Sequence, residues 1–400
     1  MDRAFWQAGH RPTLLAAFLY FDLSFMAWYL LGPLQVPIAA ALGLSIQQRG
    51  LMVATPILAG ALLRPVMGVL VDHVGARRAG LLGQVVVVTA LFGAWLADVS
   101  SFGGILALGA LLGVAGASFA AALPLASLWY PPQHQGAAMG IAGAGNSGTV
   151  LAALFAPALA AAFGWRNVFG LACLPLLLVL ATYATWAREA PAAPPPKRLS
   201  GYLAVLKERD AWWFMFFYSM TFGGFAGFAA VLPGYFHDQF GFDAEHAGLY
   251  TAACVFAGSV MRPLGGMLAD RLGGTRLLLA VYLACALLMA AATLNAGSTG
   301  AALALFILSM LCLGAGNGAV FQLVPQRFGR ELGVMTGLVG MAGGVGGFLL
   351  AAGLGMVKQA FGAYAPGLWL FAGLCLLAWF GLAGVQQHWR DSWAAAIARV

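Results

Sequence analysis

Apolar residues along this chain arrive in long unbroken runs, with neither the alternation of a half-buried strand nor the single stripe of a surface helix. Each run matches the ~20 residues that a helix needs to cross a bilayer, where lipid offers no partner to a free backbone group. Cutting the chain at charges and turn residues predicts twelve spans, at 13–33, 50–71, 79–97, 103–129, 135–162, 167–187, 212–236, 246–269, 277–295, 301–325, 332–357 and 365–386. Met1 to Pro12 is short, mixed in charge and followed by a full-length span, unlike a cleaved signal peptide. The pattern predicts an all-α polytopic membrane protein.

Composition supports this and narrows the alternatives. Of 400 residues, 62% are hydrophobic and 8% are charged, whereas soluble proteins carry about one quarter charged residues. The five cysteines (Cys173, Cys254, Cys285, Cys312, Cys375) are scattered through apolar runs without disulfide or metal spacing. Neither a metal site nor a cofactor is expected. The net charge of +7 does not form a basic stripe, so nucleic acid is not an expected partner.

The cations instead set direction. With the N-terminus inside, Arg3, Arg11, Arg77, Arg78, Arg188, Lys197, Arg198, Lys207, Arg209, Arg271, Arg276, Arg327, Arg330, Arg390 and Arg399 all fall on the cytoplasmic side. Only Arg49, Arg166 and Lys358 face outward, near an acidic segment with Asp238, Asp243 and Glu245. Both termini are expected in the cytoplasm and the protein in the cytoplasmic (inner) membrane. The polar stretch containing APAAPPPKR reads as a flexible linker. It divides a six-helix unit at 1–187 from a second at 212–400, with the linker at 188–211.

The halves repeat. GALLRPVMGVLVDHVGARR ends the second span and GSVMRPLGGMLADRLGGTR ends the eighth; Arg64/Arg262, Gly68/Gly266 and Asp72/Asp270 share one offset of 198 residues. The run Gly68-x-Leu70-x-Asp72-x-x-Gly75 with Arg77 and Arg78, echoed from Gly266 to Arg276, resembles the loop signature of the major facilitator superfamily. His73 departs from its usual basic residue, as does Gly274-Thr275 in the second copy. The resemblance implies two pseudosymmetric bundles alternating around a central site. Gly68, Asp72, Arg77, Gly266, Asp270 and Arg276 would act in the conformational switch, together with Gly145 and Asn317.

Three residues of formally charged type remain inside the spans: Arg64, Arg262 and Asp22. A charge there costs roughly 2.5–3.5 kcal/mol on insertion scales, so each is a candidate for function. Arg64 and Arg262 each precede an aspartate by eight residues, or ~12 Å of helix, which places both near the middle of a ~30 Å core. One aspartate cannot neutralise two arginines, and the surplus positive charge suits an anion. Asn146, Phe119, Tyr218 and Phe222 reach similar depth, and the last two share a helix face. The glycine-rich fifth and eleventh spans permit close helix packing and lack the strand that a dinucleotide fingerprint requires.

The segments Gly113-Val-Ala-Gly116-Ala-Ser-Phe119, Gly143-Ala-Gly145-Asn146-Ser-Gly148 and Gly314-Ala-Gly316-Asn317-Gly318 with Phe321 resemble the signatures of the nitrate/nitrite porter family. The paired arginines do so as well. The resemblance implies that Arg64 and Arg262 clamp nitrate or nitrite, that Phe119 and Phe321 sandwich it, and that Asn146, Tyr218 and Phe222 complete the pocket. The chemistry agrees: a forked guanidinium offers two parallel hydrogen bonds to a small planar anion.

An entering monoanion opposes an inside-negative potential by ~2.3 kcal/mol per 100 mV, so uptake needs protons or an exchanged anion. Asp22 is the candidate proton carrier; a counter-ion or a hydrogen-bonded helix contact is the competing role. Alternatives are nitrate/nitrite exchange, exchange of another small or organic anion, a drug-type proton antiporter, which would favour acids over arginines, and a non-transporting sensor, which would need a soluble output domain. No nucleophile with a base and no phosphate loop appears, so an enzyme is not expected, and a monomer is.

Overall fold

The computed structural model describes residues 3–190, 204–295, 297–328 and 332–393. Eleven helices among them are long and apolar enough to cross a membrane: Ile46–Val74, Ala76–Leu96, Phe102–Ser127, Ala138–Phe163, Trp165–Trp186, Arg209–Phe240, Ala244–Leu272, Gly274–Leu294, Thr299–Arg327, Gly333–Phe361 and Ala365–Trp389. The remaining crossing comes first in the chain, as Arg11–Trp28 and Gln35–Leu42. These twelve form two six-helix bundles. Leu178, Leu287, Leu370 and Phe380 stand more than half exposed on the outer surface, as lipid-facing residues do. The seventh span lies at the other extreme: 89% of its apolar stretch is buried.

Three spans are broken where the sequence pattern predicts continuity. The first stops at Trp28, because Gly32 and Pro33 interrupt it and proline has no amide N–H to continue the ladder. Gln35 Nε2 donates to the carbonyls of Gly32 (2.8 Å) and Ala230 (2.9 Å), which gives the broken turn a partner away from lipid. The fourth is interrupted between Gly116 and Phe119. The fifth contains a 3₁₀ turn, Ala144–Ser147, in a run of glycine, asparagine and serine with poor helix propensity.

Several helices outrun their predicted ends, and in two of them this changes the reading of a charge. The second begins at Ile46 and the seventh reaches Phe240, so Arg49 and Asp238, expected in loops, are helical. Both are largely buried, and each neutralises the other across the two halves. Of the other charges used to set direction, Lys197, Arg198, Arg330 and Arg399 lie outside the described residues, as do the side chains of Arg3 and Arg390 and most of the linker.

The halves meet along the second and eleventh spans and along the fifth and eighth. Near one end Gly50 faces Gly355 so closely that a Cβ on Gly50 would stand 2.9 Å from the Gly355 Cα. Within the N-terminal half the tightest approach is at Gly148, where a Cβ would overlap the Asp22 carbonyl oxygen. Gly148→Ala is therefore expected to force the first and fifth spans apart and to destabilise the protein by ~2 kcal/mol or more. A detergent melting curve checks this: an unchanged midpoint would show that the contact yields freely.

Candidate functional site

Arg64 and Arg262 project from equivalent positions of the second and eighth spans into the seam between the halves. Arg64 is 4% exposed. Its Nε donates to the Gly116 carbonyl (3.3 Å) and one terminal nitrogen donates to the Gly340 carbonyl of the eleventh span. Its guanidinium lies over the rings of Phe222, Trp28 and Phe119, at 5.1, 5.4 and 5.8 Å. Arg262 donates to Asn146 Oδ1 (3.2 Å) and, at 3.5 Å, to the Tyr218 hydroxyl. It lies 5.9 Å from the Phe321 ring and 6.0 Å from Phe119.

Phe119 thus stands between both guanidinium groups. Together with Phe25, Tyr218, Phe222 and Gly340 they line a space nowhere wide enough for a water-sized sphere. Access requires movement of the arginines or of the halves. Tyr218 and Phe222 stack on each other, with rings 5.1 Å apart and 3° from parallel. Phe119 and Phe321 are 6.2 Å apart and tilted by 51°, so in this geometry they pack on each other with no slot between them. A planar ion held between parallel rings would need about 7 Å, two carbon contact distances.

All seven residues predicted to surround the anion are in or beside this space. Asp22 is outside it: its carboxylate accepts from Ser147 Oγ at 2.7 Å and has no ion pair among the described residues. A counter-ion role for Asp22 therefore finds no partner among the described residues, while a hydrogen-bonded contact and a proton carrier both fit this bond. Gly145 packs against Phe21 and the Asp22 backbone. Asn317 is buried in the C-terminal half, with neither amide atom hydrogen-bonded.

The signature-loop residues lie at the end of the molecule next to the linker. Asp72, Asp270 and Arg276 are exposed there, Gly68 lies one turn before Asp72, and Gly266 faces Gly318 across nearly 4 Å. Arg77 donates a side-chain bond to the Ala184 carbonyl (2.6 Å), and its amide donates to Glu189 (2.8 Å). Arg327 binds Asp210 (2.6 Å) and Glu208 (3.0 Å), and Trp389 also donates to Asp210. These ties each stay within one half. At the far end the ties cross: Arg49 pairs with Asp238 and lies 3.4 Å from the Tyr364 hydroxyl, which within its own half donates to the same carboxylate at 2.7 Å. Nearby, hydrogen bonds from His246 hold the Asp243 carboxyl below its usual range.

Sequence reasoning missed several members of this arrangement. Phe25 and Trp28 sit at i and i+3 on the first span, an aromatic stripe that was available to be read. The Gly340 carbonyl carries no side-chain signal at all. Arg49 and Asp238, near the edges of separate spans, could not be paired without the tertiary fold.

Comparison with known proteins matches residues 16–351 to the Major Facilitator Superfamily. The chain is 36% identical over 349 residues to a protein of Mycobacterium tuberculosis H37Rv named probable nitrate/nitrite transporter NarK2, covering 85% of this chain and 87% of that one. It is 30% identical over 371 residues to the nitrite extrusion protein of Bacillus subtilis, covering 92% of each. A bacterial homologue of the human lysosomal transporter Spinster has the same fold, with a TM-score of 0.71 at 17% identity over 97% of this chain and 98% of that one.

Proposed function

Because the chain belongs to the Major Facilitator Superfamily and, within it, to the nitrate/nitrite porter family, we propose that it carries nitrate or nitrite across the cytoplasmic membrane by alternating access. The observation that carries this reading is the pair of buried guanidinium groups at the seam, which share one small aromatic space and no carboxylate. A small monoanion supplies the missing charge, and the fork geometry favours a planar oxyanion over a spherical one.

The Lys/Arg bias supports a cytoplasmic location for the linker end. The ties that cross the halves at the opposite end then correspond to a conformation closed to the outside. Rocking of the bundles would break them and bring the signature loops together.

Asp22 is the candidate proton carrier for uptake against the membrane potential. Reconstituted protein in liposomes, given imposed pH and voltage gradients, is expected to accumulate nitrate or nitrite with protons; phosphate and an organic anion serve as controls. Asp22→Asn should abolish the pH dependence while leaving nitrate/nitrite exchange within ~3-fold. Unaltered pH dependence in that variant excludes Asp22 as the carrier. Because one relative is named for nitrite extrusion, the exchange arm is run in both directions.

A further inference from the structure

Asp22 and Arg262 are joined by one short piece of backbone. The 3₁₀ turn Ala144–Ser147 interrupts the fifth span, and two of its consecutive residues face different partners. Asn146 accepts from Arg262 at 3.2 Å, and Ser147 donates to Asp22 at 2.7 Å. The Ser147 hydroxyl has a second acceptor within reach, the Ala144 carbonyl at 2.9 Å, which opens the same turn. Gly145 and Gly148 flank the pair and bring the turn against the backbone of residue 22.

We propose that Ser147 is a positioning residue that relays the protonation of Asp22 to the anion site. This rests on the proton-coupled reading of Asp22 above. An ionised Asp22 is the stronger acceptor and draws the hydroxyl hydrogen to itself, because a charge-assisted bond outcompetes a neutral one. When a solvent proton binds the carboxylate, the new O–H donates to Ser147 Oγ, and the serine hydrogen passes wholly to the Ala144 carbonyl. No covalent bond to carbon, nitrogen or oxygen changes apart from the one O–H gained by Asp22, and the same proton leaves when the carboxylate is re-exposed. The hydrogen-bond pattern of the turn changes, and with it the placement of Asn146 against Arg262.

Asp22 has few competitors for this role. On the elements packed against the first span, the titratable and charged groups are Tyr183 and Cys173 of the sixth span, Arg64 of the second, Arg77 and Arg78 at the linker end of the third, and His134 of the fifth, with Arg49, Asp72, His73 and Arg166 at the ends of the second and sixth. Tyr183 packs against Tyr20 with ring centroids 4.6 Å apart and planes tilted by 39°, Arg64 lies over Trp28, and His134 meets Phe5. Arg77 is held by Ala184, and Cys173 donates to the Phe169 carbonyl.

The test compares Ser147→Ala and Ser147→Thr with the unaltered protein in liposomes. Two quantities are followed: nitrate uptake between pH 5.5 and 8, and nitrate/nitrite exchange without a pH gradient. Ser147→Ala is expected to flatten the pH profile of uptake at least ~5-fold while exchange stays within ~3-fold, and Ser147→Thr, which keeps the hydroxyl, is expected to restore the profile. A Ser147→Ala profile as steep as that of the unaltered protein overturns the relay. So does equal loss of exchange in both variants, which would mark a purely structural serine. If the unaltered protein itself shows no pH dependence, the proton-coupled reading falls and the relay with it, while the arginine clamp stands on the exchange result.

Discussion

Replacing Arg64 or Arg262 by lysine is expected to reduce nitrate and nitrite uptake ~30- to 150-fold, with the protein still folded and inserted. Charge is preserved in these variants, so any loss measures geometry. A guanidinium donates two parallel bonds to a planar oxyanion and an ammonium cannot, a difference of about 2–3 kcal/mol for bonds to a charged group. Lysine also loses the flat cation that lies over Phe222, Trp28 and Phe119 at Arg64, and over Phe119 and Phe321 at Arg262. Initial uptake rates in liposomes, normalised to the amount of protein reconstituted, supply the measurement. Near-normal uptake from either variant would remove that arginine from the clamp.

Asp238→Asn should release the far end of the molecule. It leaves the Arg49 guanidinium with a side chain 9% exposed and no anionic partner, and breaking a buried pair in this way costs about 3–5 kcal/mol. The cost falls only on the conformation in which the halves are joined there, so the ratio of open to closed far ends should rise by ~100-fold or more. Spin labels at exposed positions 47 and 245, one in each half, report the separation. A long-distance population is expected in the variant and should disappear when the charges are exchanged as Arg49→Asp with Asp238→Arg. An unchanged distance distribution would mean that Gly50, Gly355 and Gln35 hold this end without the ion pair.

The fold was largely legible before any coordinates, because lipid permits one economical solution for the backbone and the duplicated Arg-x₇-Asp segments mark the two halves. Residue counting put Arg64 and Arg262 at one level of the molecule, and the two line one space. Counting failed where side chains rescue an irregular backbone. Gln35 allows the first span to break at Gly32, a role that an isolated polar residue does not announce. It failed again at Arg49 and Asp238, since a hydropathy cut ends a helix at the first charge, whereas a pair formed between distant spans lets both helices continue. Ser147 was passed over for a similar reason: its importance lies in the two acceptors around its hydroxyl, one contributed by another span.

The two arginines occupy equivalent places in a duplicated chain, yet they answer to different kinds of neighbour. Arg262 is oriented by the side chains of Asn146 and Tyr218, whereas Arg64 is oriented by the backbone carbonyls of Gly116 and Gly340. A codon change can replace an asparagine or a tyrosine; no codon change deletes a carbonyl. Replacing a single side chain can therefore remove a hydrogen-bond partner of Arg262, whereas the two carbonyls that hold Arg64 stay wherever the backbone of the fourth and eleventh spans stays.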